Sequence, residues 1–177
     1  MKHRSALAIS LLLGVLISAA DAQESKEAKI KRAMSAGPAS IAKDAKVVDM
    51  DEKGNMTTLR EGNNGWTCMP GHPGVVGDVA MCVDAPAMQW AQDWMGHKDK
   101  PTNTQPGIMY MLAGGTDWSA TDPWATSGNP IKEPPHWMIM WPFDPKTSGL
   151  PTEPKQTGTW IMYAGTPYAH LMINQKP

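Results

Sequence analysis

The stretch Pro135–Trp141, PHWMIMW, decides how this chain folds. It is short, apolar and bounded by Pro134-Pro135 before it and Pro142 after it, which favours a β-strand over a helix. Successive side chains of a strand point to opposite faces, so His136, Met138 and Met140 share one side and Trp137, Ile139 and Trp141 the other. Three further runs have the same character: GIMYMLAG from Gly107, TWIMYAG from Thr159 and YAHLMI from Tyr168. The last two are joined by AGTPYA and read as a hairpin.

Working outward, KVVDM (46–50) and MTTLR (56–60) flank the turn-rich segment 51–55 and predict a second hairpin. GWTCM (65–69) and VAMCVD (79–84) read as short strands. Two helices stand against these strands. In SKEAKIKRAMSA (25–36) Ser25 is a cap, acid precedes base, and Gly37-Pro38 ends the pattern. In DAPAMQWAQDWM (84–95) Asp84 caps, Pro86 occupies the first turn, and Trp90, Ala91, Trp94 and Met95 form an apolar face opposed by Gln89, Gln92 and Asp93. The expectation is an α+β domain: an antiparallel sheet packed with one main helix, 85–95, and an N-terminal helix. Between two of the strands, residues 114–135 show no period and predict a long loop.

The start, MKHRSALAISLLLGVLISAADAQES, has basic residues Lys2 and Arg4, an apolar run and the small-residue pattern Ala20-Asp21-Ala22, which predicts a signal peptide over 1–22. An N-terminal helical arm over 23–45 and a single α+β domain over 46–177 would follow. The apolar run falls short of the roughly 20 residues that cross a bilayer, so the mature form has no integral membrane segment, and its location is periplasmic or extracellular. Without Lys2, Arg4 and Asp21, the 16 basic and 17 acidic residues become 14 and 16, a net charge of −2. The longest basic cluster is KIKR at 29–32, which argues against nucleic acid as a partner. Cys68 and Cys82 lie in the exported part and predict one disulfide, since an oxidising compartment and the absence of CxxC spacing disfavour a redox or metal pair.

The phrases NGWTCMPGHPG, AMCVDAPAMQWAQDWM, TDPWAT, PPHWMIMWP and GTPYAHLM resemble, in this order, those of a family of uncharacterised secreted bacterial proteins. The resemblance spans most of the mature chain and implies export and one domain. It assigns no activity, cofactor or site residue.

Composition raises the functional question. Methionine occurs 14 times and tryptophan eight, against a single phenylalanine. Thioethers fill irregular cores, and outside the reducing cytoplasm they also select Cu(I). His136, Met138 and Met140 on one strand and His170 and Met172 on another would offer three or four soft ligands if the strands are neighbours, so copper is the candidate cofactor. The same alternation serves an ordinary half-buried core. Trp118 and Trp124, in the loop 114–135, are the candidates for stacking on a small ligand or an envelope partner. Asp117, Ser119, Thr121 and Asp122 offer closely spaced oxygens, which Asx and ST turns also explain. No nucleophile elbow, His-Glu-x-x-His helix or phosphate-cradling loop is present. The sequence therefore reads as a non-catalytic binding protein, with the soft-metal face first, the tryptophan loop as the alternative and an enzyme of unrecognised type third.

Overall fold

The computed structural model describes residues 24–51 and 53–175, and the signal peptide expected over 1–22 lies outside them. The fold is mixed α+β. The elements run α1 (Lys26–Ser35), α2 (Ala39–Ala42), β1 (Lys46–Met50), β2 (Met56–Arg60), β3 (Thr67–Met69), β4 (Met81–Val83), α3 (Ala85–Met95), β5 (Gly107–Met111), β6 (Gly115–Asp117), β7 (Ile131–Glu133), β8 (His136–Met140), α4 (Pro145–Ser148), β9 (Gly158–Met162) and β10 (His170–Asn174). Eight strands form one sheet in the order β2-β1-β3-β4-β5-β8-β10-β9, and β6 and β7 form a separate ribbon.

Local chemistry starts the helices as the sequence predicts. Ser25 accepts from Ala28 N at the head of α1, and Asp84 accepts from Ala87 N at the head of α3. Both expected hairpins form, β1 with β2 and β9 with β10. Two expectations need correction. The sheet is not wholly antiparallel, because β1 and β3 pair in parallel. After the β1–β2 hairpin the chain returns to the free edge of β1, a long-range choice that no local turn signal specifies. The second correction concerns 114–135, which contains the ribbon of β6 and β7. Strands of three residues are too short to display a period.

The sheet has a cluster on each side. On one side α1 lays Ala33 and Ala36 against Val47, Cys68 and Cys82, all of them fully buried. Cys68 and Cys82 sit directly opposite in β3 and β4 and are disulfide-bonded. Gly37 lies so close that a Cβ there would meet Cys82 Sγ at 2.8 Å. The segment is tied down further by Arg32, whose Nε donates to Pro70 O at 2.9 Å, and by Arg60, which donates to the carbonyls of Ala42 and Ala45.

The other side is the methionine face. Register places Met109 beside Met138 and Met111 beside His136 between β5 and β8, and Met172 beside Met138 between β10 and β8. β9 adds Met162, opposite His170, and Trp160, opposite Met172. Helix α3 crosses this face closely at Gly107, where a Cβ would lie 2.2 Å from Ala87 N, so only glycine permits the approach. The cluster joins these methionines to Trp90, Ala91, Tyr163 and Tyr168.

Candidate functional site

The methionine face is not filled to its edge. A cavity of about 420 Å³ opens between it, α3, the segment that follows β3 and the ribbon segment 114–135. Its floor is Met109, Met111, Met138, Met140 and Met162, its α3 wall is Trp90, Ala91, Trp94 and Met95, and Trp118 and Trp124 come from the ribbon segment. An adjoining depression shares Met50, Asp78, Trp94, Met95, His97 and Trp124 with it.

This cavity brings together the two sets of residues that the sequence offers as separate sites. Met138, Met140 and His170 of the soft-metal set line it, and so do both Trp118 and Trp124. His136 and Met172 share the face but lie behind the lining, each fully buried. The tryptophans are half-buried walls rather than free rings. Trp124 stacks on His97 with ring centroids 5.4 Å apart, meets Tyr168 edge-on at 5.3 Å, and donates from Nε1 to Trp94 O at 3.2 Å. Trp94 answers by donating from Nε1 to Pro123 O at 2.7 Å, so these two indoles clasp the segment to α3. Trp118 lines the cavity without such ties.

Both histidines have a defined tautomer. His136 Nδ1 lies 2.7 Å from Pro134 O and His170 Nδ1 3.0 Å from Tyr168 O, and a carbonyl only accepts, so Nδ1 carries the proton and Nε2 keeps a lone pair. Burial holds both imidazoles neutral, His170 down to about 4. Among the described residues no three His, Cys, Asp or Glu side chains are grouped to hold a metal ion.

Two carboxyls also face the cavity. Asp117 ends β6 and Glu133 ends β7, with Gly115 paired opposite Glu133 and Asp117 opposite Ile131, so the two acids project from the same side of the ribbon. Gly114, at φ +70°, makes the turn into β6, and a Cβ there would strike Glu133 O at 2.8 Å. Tyr163 OH donates to Asp117 Oδ2 at 2.9 Å, and Ser119 N donates to Asp117 Oδ1. Burial raises the Asp117 carboxyl, and those bonds partly offset it. Glu133 is 6% exposed, its Oε1 has no hydrogen-bond partner, and its Oε2 stands 3.8 Å from His136 Nε2, too far for a hydrogen bond. Burial, followed by repulsion from Asp117, pushes its pKa up to about 8. Burial and the Asp117 charge raise Tyr163 in turn.

Glu133 and Tyr163 are the site residues that sequence reasoning missed. No local signal marks the first, since Ile131-Lys132-Glu133 is too short to show a period and Glu133 turns inward only where β7 pairs with β6. The closely spaced oxygens of this segment serve the local turns that the sequence favours for them: Ser119 Oγ accepts from Thr121 N and Asp122 N, and Asp122 Oδ1 accepts from Trp124 N.

No protein-family model, curated protein or solved structure matches the chain.

Proposed function

We propose that the chain is an exported, non-catalytic binding protein whose cavity takes a small, largely apolar ligand. One observation carries this reading: a cavity of about 420 Å³ walled by thioethers and indoles on a sheet-and-helix frame, with a small number of polar groups in its lining. Methionine adapts its shape to an occupant, and the indoles supply rigid flat surface. Export rests on the N-terminal pattern and on the resemblance to secreted bacterial proteins. The disulfide fits an oxidising compartment.

The test uses N-phenyl-1-naphthylamine, a neutral apolar fluorophore, titrated into the mature protein. Saturable binding at one site is expected, with energy transfer from the cavity tryptophans. Ala91 lines the wall on α3, so Ala91→Phe fills the space and should abolish the signal. Unsaturable binding in wild type, or equal binding in the filled variant, would remove the reading.

A second reading concerns Cu(I). The free Nε2 lone pair of His170 shares the cavity with the thioethers of Met138 and Met140, a soft donor set of the kind Cu(I) prefers. A ligand at 100 times its Kd stabilises the folded state by about 2.7 kcal/mol, which raises the melting point by several degrees. Buffered Cu(I) should produce that rise in wild type and not in His170→Asn.

A further inference from the structure

The cavity has an unusual balance of charge. Asp49, Asp78, Asp117 and Glu133 all line it, and among the described residues no Lys or Arg does. The two outer carboxylates already have partners, Lys29 for Asp49 and His72 for Asp78. The two inner ones have no cation beside them. Asp117 has only the Tyr163 hydroxyl and backbone donors, and Glu133 Oε1 has nothing, though the residue is more than nine-tenths buried. The groups facing Glu133 are Asp117 from β6, His136 from β8 and Tyr163 from the β9–β10 turn, and none of them is a cation. The apolar lining is largely indole and thioether, surfaces that attract a positive charge spread over methyl or methylene groups.

We infer that the ligand is an organic monocation, an ammonium with an apolar body, whose charged end sits between Asp117 and Glu133 while the body lies among Trp90, Trp118 and the methionines. This deepens the cavity reading and rests on it. A buried carboxyl whose oxygen has no partner, as in Glu133, is costly unless something completes it. With the cavity empty, a proton on Glu133 serves. A bare inorganic cation would gain little from a wall of indoles, and among the described residues no three His, Cys, Asp or Glu side chains are grouped to hold one, whereas an alkylammonium uses both the carboxyls and the indoles. The exchange balances in charge: the cation enters and Glu133 loses one proton to solvent.

The experiment compares two molecules of the same shape, benzyltrimethylammonium and its neutral isostere neopentylbenzene, each displacing N-phenyl-1-naphthylamine from the mature protein. The quaternary ammonium should bind at least about tenfold more tightly near pH 8. Because a proton must leave, its affinity should rise by up to about tenfold per pH unit below the Glu133 pKa and flatten above it, while that of the isostere stays level. Glu133→Gln should erase the slope and most of the preference while keeping the neutral probe bound. Equal affinity for the two molecules, or a pH-independent preference in wild type, overturns the inference and leaves the cavity reading standing. If neither molecule displaces the probe and the probe itself does not saturate, the cavity reading falls as well. The wild-type pH series needs no variant to fold.

Discussion

Asp93 and Glu133 are both buried carboxyls, and the protein treats them in opposite ways. Asp93 is 1% exposed on α3, and four donors reach it: Lys98 Nζ and Gln89 Nε2 at Oδ1, Thr102 N and Thr102 Oγ1 at Oδ2. Burial works against its charge, yet the bonds from Lys98, Thr102 and Gln89 together outweigh it and hold the carboxyl down at about 2. Glu133 is likewise little exposed but lies deeper, its Oε1 has no hydrogen-bond partner, and burial pushes its pKa up to about 8. A satisfied carboxylate is structural. It fixes the segment after α3 onto the helix. A carboxyl with an orphaned oxygen on a cavity lining has no structural work of that kind, and the contrast is what favours Glu133 as part of the proposed binding site.

The comparison breaks most readily at Asp93. Asp93→Ala removes charge-assisted bonds and leaves Thr102 N without its acceptor, so a loss of about 3 to 5 kcal/mol is expected, or roughly 6 to 20 °C in melting point for a domain of this size. Glu133→Gln replaces a carboxyl that is already neutral at pH 7 and should change stability by less than about 1 kcal/mol. Thermal melts of both variants at neutral pH decide the matter. A loss at Glu133 as large as that at Asp93 would mean that both are structural.

Titration sharpens it. The folded-state pKa of Glu133 lies above its ordinary value of 4.5, so the folded form binds the extra proton between the two. That contribution is complete below 4.5 and is lost as pH rises through about 8, with a slope approaching 1.4 kcal/mol per pH unit. From pH 6 to 8 the wild type should therefore lose about 2 kcal/mol relative to Glu133→Gln. Asp93 has the opposite sign: its contribution is present above its ordinary 3.8 and lost as pH falls toward about 2. His170, depressed to about 4, also acts on the acid side, because the unfolded chain takes up a proton below 6.5 that the folded chain refuses. That term is common to wild type and Glu133→Gln, so urea unfolding of the two across the pH range isolates Glu133. Parallel curves would show that Glu133 ionises freely in the fold.

The same pair shows what the sequence could and could not say. Elements whose cause is local were legible: α3 over Ala85–Met95 with its Asp84 cap, the β1–β2 hairpin around its turn, and the shared faces of His136, Met138 and Met140. Asp93 stands on the side of α3 opposite the apolar face and is nonetheless buried. Lys98 and Thr102 cover it from a segment whose return over the helix has no periodic signature. Likewise Glu133 sits in IKEPP, which reads as a polar turn until the ribbon turns it inward. The methionine and tryptophan candidates came from different elements and looked like rivals, and only the tertiary arrangement makes them floor and wall of one cavity.

The smallest effect separates the two loop tryptophans along the same line. Trp124 is structural in the manner of Asp93: it stacks on His97, meets Tyr168 and donates to Trp94 O, so Trp124→Ala should cost about 3 kcal/mol. Trp118 resembles Glu133. It is half-buried and lines the cavity, and none of the hydrogen bonds or ring pairs that fix Trp124 involves its indole. Trp118→Ala enlarges a space that is already open rather than creating a void in packed core, so about 1 kcal/mol or less is expected. Binding should respond in the reverse order to stability: affinity for benzyltrimethylammonium should fall several-fold in Trp118→Ala, because an indole face next to the ammonium is lost. Melting curves and displacement titrations on this one variant give both numbers. A large drop in melting point with unchanged affinity would make Trp118 a second Trp124 and move the binding end of the cavity away from the ribbon.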